Sequence, residues 1–403
     1  MPKKINKKST IKPVSKIKVV GVGGAGGSAI KRMLKAKIPG VEYVAINTDS
    51  QALQTIKGQV KKIRIGKILT KGLGTGADSE LGQAAAEQNT QEIKEALKNA
   101  DIIFITAGFG GGVGTGASPV VADIARKTKA LTLAIVTKPF IFEGAQRKAI
   151  AEEGLKKLIN RVDALMTISN NKLLHTIDRS TPILEAFNIS DEILKQSIQG
   201  FSDIFNISGL INIDFADVKP VLKDGGVTML GMGYASGKDR AAQAAKNALK
   251  NPLMDLSAKE ANGIVFVITG SPDLKMIEVN EIAEIITKEI DPTAKIVFGA
   301  VIDDNLKDEI KVTLIATNYD QIEDYGFSLQ NIEDVEEEEK GLSKPLIKET
   351  ERGKIYVYKE SQNKEIKKDT KDKKKKEQEQ EFNFEDELDI PAFLRKKINQ
   401  SKS

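Results

Sequence analysis

The 403-residue chain predicts an α/β fold with four parts: a parallel-sheet domain, a long central helix, a second and smaller α+β domain, and a disordered C-terminal tail. Three observations carry this. Strand and helix patterns alternate from residue 17 to about 185, which implies a parallel sheet covered on both faces. One long helical pattern follows over 188–205, and strands in a different rhythm then run to about Asn318. From Asp320 apolar residues thin out and charge collects in blocks, the signature of a segment that cannot bury enough surface to fold.

The expected division is 1–16 as a basic tail, 17–187 as the first domain, 188–207 as the connecting helix and 208–319 as the second domain. A charged linker spans 320–384 and a terminal peptide 385–403. In the first domain, short apolar runs read as strands at Ile17–Val22, Tyr43–Asn47, Asp101–Ala107, Leu131–Thr137 and Ala164–Ser169. Helical patterns fall at Ala29–Ala36, Leu81–Asn99, Ala117–Arg126 and Gln146–Ile159. In the connecting helix Ile189, Ile193, Leu194, Ile198, Phe201, Ile204 and Phe205 recur near helical spacing, so several of its faces are expected in the core. The second domain carries glycines at Gly225-Gly226 and at Gly231 and Gly233, with strands at Ile264–Thr269, Lys295–Ala300 and Ile310–Thr317.

Two glycine clusters carry the chemistry. Gly23-Gly-Ala-Gly-Gly-Ser28 follows the first strand, and Gly108-Phe-Gly-Gly-Gly-Val-Gly-Thr-Gly116 follows Asp101–Ala107. Each precedes a helix. A strand, a glycine turn and a helix N-terminus present unpaired N–H groups to an anion, and the absence of side chains lets a phosphate approach. Two such turns beyond the carboxyl ends of parallel strands suggest one nucleotide held between them.

Composition narrows the chemistry. There is no Cys, which excludes a disulfide framework, a thiolate metal site and a cysteine nucleophile. The lone His175 argues against a histidine-based hydrolase or a multi-histidine metal site, so acid–base work falls to carboxylates, Lys or Arg. No stretch approaches the ~20 apolar residues of a membrane span, and a soluble, cytoplasmic protein is expected. The net charge of +5 sits largely in tail runs such as Ile366–Lys376, so specific nucleic-acid binding is not expected.

A P-loop would need Gly-Lys-Ser/Thr, which neither cluster has. Gly21, Gly23 and Gly26 match the dinucleotide fingerprint, with Asp49 downstream for a ribose, so a Rossmann-type NAD-dependent oxidoreductase is the alternative reading. That alternative leaves the second glycine cluster unexplained.

The sequence resembles the FtsZ family, the bacterial tubulin-like GTPases of cell division. The resemblance rests on Gly111–Gly116, Ala45-Ile-Asn-Thr-Asp49, Lys71-Gly-Leu-Gly-Thr-Gly-Ala77, Thr137–Gly144 and Asn212-Ile-Asp-Phe-Ala-Asp217, and it is nearly continuous from Ile17 to Asn318. It implies a tubulin-like GTPase fold that binds GTP and GDP, with Mg2+ bound mainly through phosphates and water rather than a protein metal site. Gly24, Ala25, Gly26, Gly27 and Ser28 would form one phosphate loop. Gly112, Val113, Gly114 and Thr115 would wrap the β- and γ-phosphates through backbone N–H groups. Glu143 and Arg147 would lie around the ribose and phosphates, although by spacing alone they read as an ordinary helix ion pair. Phe187 would stack on the base, and the Asp191 carboxylate would accept from guanine's donor edge.

By the same resemblance Asn212, Asp214 and Asp217 are catalytic, completing the site of the next subunit in a head-to-tail filament. By sequence alone the two aspartates read as an N-cap and a first-turn acid before Val218–Leu222. Family members usually carry Asn at Ser28 and Thr at Val113, so this chain has a shorter polar group at one position and no hydroxyl at the other. The resemblance resumes at Leu388–Arg395. There Leu388, Ile390, Pro391, Phe393 and Leu394 form an apolar cluster that reads as a docking peptide for membrane-tethering and regulatory division partners. The linker before it would reach on the order of 45 Å or more. The peptide favours the bacterial division proteins over archaeal and plasmid-borne relatives, and implies action at the midcell septum.

Overall fold

The computed structural model describes residues 15–38, 40–172, 181–206, 209–211, 213–250, 258, 261–319, 345–350 and 353–358. His175, Asn212 and the docking peptide Leu388–Leu394 lie outside the described residues.

β1 (Ile17–Val22) leads into α1 (Gly23–Ala36), β2 (Val41–Asn47) into α2 (Ser50–Thr55), and β3 (Lys61–Arg64) into α3 (Lys67–Thr70). α4 (Ser79–Gln88) and α5 (Thr90–Leu97) precede β4 (Ile102–Gly108), α6 (Gly112–Lys127), β5 (Leu131–Lys138), α7 (Ala145–Ile159) and β6 (Ala164–Ser169). These six strands and a later one form a parallel sheet ordered β3-β2-β1-β4-β5-β6-β7. The added strand, β7 (Gly226–Val227), returns from beyond the connecting helix, so residues expected in the second domain complete the first sheet. The ordered chain also begins before Ile17, because the Lys16 backbone N–H donates to Asp101 Oδ2 at 2.8 Å.

Alternation along each strand sorts its side chains to two faces. Val20, Ile103 and Ile105 pack against α4–α7, while Val19, Tyr43 and Phe104 face α1 and the connecting helix. That helix, α8 (Ile183–Asn206), buries all seven expected apolar residues. Phe201 meets Phe104 edge-on at 5.4 Å. From α8 the same core continues into the second sheet, so the helix is shared by both domains.

The second domain comprises α9 (Phe215–Leu222), β8 (Met229–Ser236), α10 (Arg240–Leu249), β9 (Ala261–Gly270), α11 (Met276–Lys288), β10 (Lys295–Ile302) and β11 (Glu309–Tyr319). Its sheet runs β10-β9-β11-β8, with only the β10–β9 pair parallel. Lys311 of β11 reaches Asp203 of α8 at 3.2 Å and ties this sheet to the helix.

Arg240, 3% exposed, fastens the far side of the second domain by donating to both Glu278 carboxylate oxygens, at 2.7 and 3.0 Å, and to Asp308 at 2.9 Å. Its hydrogen bonds hold the Glu278 carboxyl below the usual range, against the opposing effect of burial. A lowered carboxylate contributes stability above its ordinary titration range and loses it as pH falls through the lowered value. Arg240→Met is expected to cost about 3–5 kcal/mol in chemical denaturation, because it strands a partly buried carboxylate.

Two elements depart from expectation. The helix expected over Leu81–Asn99 breaks at Asn89, whose Oδ1 accepts from the Gly66 N–H at 2.9 Å. The segment expected as a disordered linker contains an antiparallel hairpin, β12 (Pro345–Thr350) and β13 (Gly353–Tyr358), in register from Pro345–Tyr358 to Thr350–Gly353. Its strands hold Ile347, Ile355, Tyr356 and Val357, good strand formers amid a charged surround.

Candidate functional site: a two-loop phosphate cradle

The sheet order reverses between β1 and β4, and both glycine clusters sit at the carboxyl ends of these two strands. Parallel pairing brings Val22 opposite Ala107, so the turns after them emerge side by side. Such a switch point is where open α/β sheets bind ligands.

Contact distances show how closely the turns approach. A Cβ built on Gly23, whose φ is +74°, would lie 2.9 Å from the Gly114 nitrogen. One on Gly108 would lie 2.7 Å from the Ala25 Cβ, and one on Gly114 would lie 2.3 Å from the Gly108 carbonyl oxygen. Gly23 and Gly108 let one turn rest against the other, and Gly114 lets the second turn fold closely on itself.

Both helices begin inside their glycine clusters, earlier than the expected starts at Ala29 and Ala117. In the first turn of α1 the N–H groups without intrahelical partners fall on Gly23, Gly24 and Ala25; Gly24 and Ala25 are exposed, while Gly26 and Gly27 are buried beneath them and Ser28 is half-buried. In α6 they fall on Gly112, Val113 and Gly114. Thr115 differs from its expected part, because its N–H closes the helix onto the Gly111 carbonyl at 3.2 Å. Its hydroxyl accepts from the Gly110 N–H at 2.9 Å and stiffens the turn.

The Glu143–Arg147 pair is brought to this cradle. Glu143 Oε2 accepts from Arg147 at 2.8 Å, and Oε1 accepts from the Phe140 N–H at 3.0 Å. The i,i+4 ion pair read from spacing is therefore present, and it stands beside the second turn: a Cβ on Gly110 would meet the Arg147 carbonyl at 2.9 Å. The Asn171 side chain supports the same corner by accepting from the Ile141 N–H at 2.7 Å.

Phe187 and Asp191 lie one turn apart on α8. The backbone around them is anchored toward the cradle: Arg32 of α1 donates to Asn188, and Ser190 donates to the buried Asn170 Oδ1 at 2.9 Å. Asn170 and Asn171, at the carboxyl end of β6, escaped the sequence reading; their position past a parallel strand is the signal that could have found them. Asp49, which the dinucleotide reading assigns to a ribose, instead caps α2, accepting from the N–H groups of Gln51 and Ala52 at 2.8 and 3.0 Å.

Asp214 and Asp217 are placed apart from these loops in sequence and sheet. Asp214 caps α9, accepting from the Ala216 N–H at 3.0 Å, and Asp217 sits in its first turn; both are exposed. α9 packs against β9 and β10 of the second sheet, and just before it Ile211 pairs with Ala300. The N-cap reading holds for Asp214, and its second carboxylate oxygen still faces solvent.

Glycine turns crossing at the switch point of a parallel sheet, with a second domain joined through one shared helix, define a two-domain nucleotide-binding protein. Residues 16–178 match the model of the Tubulin/FtsZ family GTPase domain, and residues 226–320 match that of the FtsZ family C-terminal domain. The empty FtsZ dimer of M. jannaschii is 43% identical, with a TM-score of 0.70 over 75% of this chain and 88% of that one. The W319Y mutant of the same FtsZ gives 43% identity and a TM-score of 0.71, over 76% and 91%. CetZ2 from Haloferax volcanii, solved as a GTPγS-bound protofilament, shares the fold at 23% identity and a TM-score of 0.66, over 75% and 92%.

The chain belongs to the FtsZ family. It is a GTPase with a tubulin-like fold that binds guanine nucleotide, and the oxidoreductase alternative falls. Among the described residues no helix is long and apolar enough to cross a membrane.

Proposed function

We propose that this GTPase polymerises head-to-tail, that each active site is completed by the next subunit, and that the filaments form the cytokinetic ring at the bacterial division site, in the cytoplasm. The observation that carries the reading is the exposure of Asp214 and Asp217 within an apolar surround. Leu210, 75% exposed, Ile211 and Phe298 flank the acidic helix, and Ile213 lies against Gly299 of β10. Other exposed apolar side chains, Ile68 and Leu73 in and just after α3 and Ile141 and Phe142 just before Glu143, lie on the first domain. Exposed patches of this kind mark interaction sites. Two unlike patches, one with the nucleotide loops and one with the acids, suit a heterologous contact that repeats without closing.

In this reading Gly24–Ser28 and Gly112–Gly114 hold the phosphates with Thr115 bracing the second turn, Glu143 and Arg147 border the ribose, and Phe187 and Asp191 take the base. Asn212, Asp214 and Asp217 of the neighbour orient and polarise the attacking water. Phosphoryl transfer depends mainly on positioning and electrostatics, so no histidine base is required. Among the described residues no group of three His, Cys, Asp or Glu could hold a metal. In this reading Mg2+ is carried by phosphates and water, where the ion would offset phosphate charge. The terminal peptide around Leu388, Ile390, Pro391, Phe393 and Leu394 docks on division partners that tether the filament to the membrane.

Light scattering tests assembly. Added GTP is expected to raise scattering, which decays as GTP is consumed, whereas GDP leaves it at baseline. Identical traces with the two nucleotides would refute nucleotide-driven polymerisation.

A further inference from the structure

We propose that Asn171 is a positioning residue for the ribose end of the nucleotide site: its side chain holds the turn that carries Glu143, and so fixes the carboxylate that meets the ribose hydroxyls. The inference rests on the guanine-nucleotide reading above, in which Glu143 borders the ribose, and adds a residue that acts through Glu143.

Strand pairing brings the two segments together. β5 and β6 run parallel, with Thr137 opposite Ile168 and Lys138 opposite Ser169. The chain past each strand therefore emerges side by side, Pro139–Glu143 from one and Asn170–Asn171 from the other. The half-buried Asn171 accepts on Oδ1 from the Ile141 N–H at 2.7 Å. Its neighbour Asn170, 6% exposed, accepts on Oδ1 from the Ser190 hydroxyl at 2.9 Å. Ser190 precedes Asp191 on α8. The two asparagines thus link the base end of the site to the turn at its ribose end.

The turn has little else to hold it. Ile141–Glu143 form a short 3-10 turn, closed by the Glu143 N–H on the Phe140 carbonyl at 3.0 Å and the Gly144 N–H on the Ile141 carbonyl at 3.1 Å. Ile141 and Phe142 are exposed, so the core does not grip them, and Gly144 follows at a φ of +98°, where only glycine moves freely. The two bonds of the Glu143 carboxylate, to the Phe140 N–H and to Arg147, are local and travel with the turn. Among the described residues the Asn171 bond is the one hydrogen bond that ties residues 141–143 to any part of the chain outside 140–147. A carboxylate offers about four lone-pair sites, so Glu143 keeps acceptor capacity for ribose hydroxyls once the turn has aimed it. Asn171 supplies that aim from a strand end that the same site uses for its base.

The test is equilibrium binding of GDP and of 2′,3′-dideoxy-GDP, which lacks both ribose hydroxyls. The proteins are the full chain, Asn171→Ala, Asn171→Asp, Glu143→Ala and the variant carrying both alanines, with thermal unfolding of each. The parent is expected to prefer GDP. Asn171→Ala is expected to weaken GDP about fivefold to tenfold while dideoxy-GDP affinity stays within about twofold, so the preference collapses. Asn171→Asp keeps the acceptor and is expected to restore it. The double variant is expected to lose no more than Glu143→Ala alone, since both changes remove one interaction. An unchanged preference in a folded Asn171→Ala variant overturns the proposal, as do additive losses in the double variant. An equal loss for both nucleotides also overturns it and marks a structural role. If the parent bound neither nucleotide, the guanine-nucleotide reading itself would fail, and a parent that bound both equally would take Glu143 away from the ribose and the proposal with it. A parent preference that Glu143→Ala abolishes and Asn171→Ala keeps sinks only the role of Asn171.

Discussion

Asp217→Ala is expected to leave guanine-nucleotide affinity at the parent value and to lower GTP turnover about 10²–10³-fold, the usual cost of removing one preorganised electrostatic group from a reacting centre. The side chain is exposed in the first turn of α9, and the two glycine turns lie at the β1–β4 switch point of the other sheet. Its removal therefore takes little from the fold, about 0.3–1 kcal/mol of first-turn charge–dipole stabilisation at most. Asp214 needs a different variant, because its carboxylate caps α9. Asp214→Ala would add a capping loss of about 1 kcal/mol. Asp214→Asn keeps an acceptor for the Ala216 N–H and removes the charge. Parallel loss of turnover in Asp217→Ala and Asp214→Asn, with unchanged GDP binding and thermal stability, is the expected pattern. Parent-rate hydrolysis by either variant would show that the acidic helix plays no part in the reaction.

The second large effect is at the glycines, where two substitutions of identical size should behave oppositely. Gly114→Ala drives a methyl to within 2.3 Å of the Gly108 carbonyl oxygen, a backbone atom that cannot turn aside. Overpacking of this kind costs about 1–3 kcal/mol and would distort the second turn from within, at the residue on which Gly23 of the first turn rests, so both stability and nucleotide affinity should fall. Gly24→Ala meets no protein atom within 4 Å. The free protein should then unfold at the parent temperature, and any loss of nucleotide affinity must come from the ligand that the methyl obstructs. A drop of tenfold or more in GDP affinity, about 1.4 kcal/mol, is expected, read by titration beside thermal unfolding. Unchanged affinity would remove Gly24 from the phosphate loop.

Strands and glycine turns were legible because they are local: each is a run of apolar residues ending in a composition that only a turn tolerates. The first turns of α1 and α6 were not, since glycine is a poor helix former and propensity places the starts at Ala29 and Ala117. The packing of Gly23 on Gly114 and of Gly112 on Thr75 overrides it. The break at Asn89 depends on a hydrogen bond to Gly66, twenty-three residues back, and the return of Gly226–Val227 to the first sheet depends on β6. Neither leaves a mark on neighbouring residues. The β12–β13 hairpin was hidden by averaging, because its strand formers are flanked by acidic and basic runs. At the site, residue types were legible, but the partners that commit or free them were not. Thr115 spends its N–H within the helix, and Asp49 caps α2.

Phosphate release per subunit, followed at saturating GTP across a wide range of protein concentration with sedimentation of the same samples, tests the shared active site most directly. A site divided between the cradle of one subunit and Asp214 and Asp217 of the next predicts specific activity near zero in dilute monomer. It should rise steeply at the concentration where sedimenting polymer first forms. Specific activity that stays constant down to samples containing only monomer would contradict it, because each subunit would then hold a complete active site of its own.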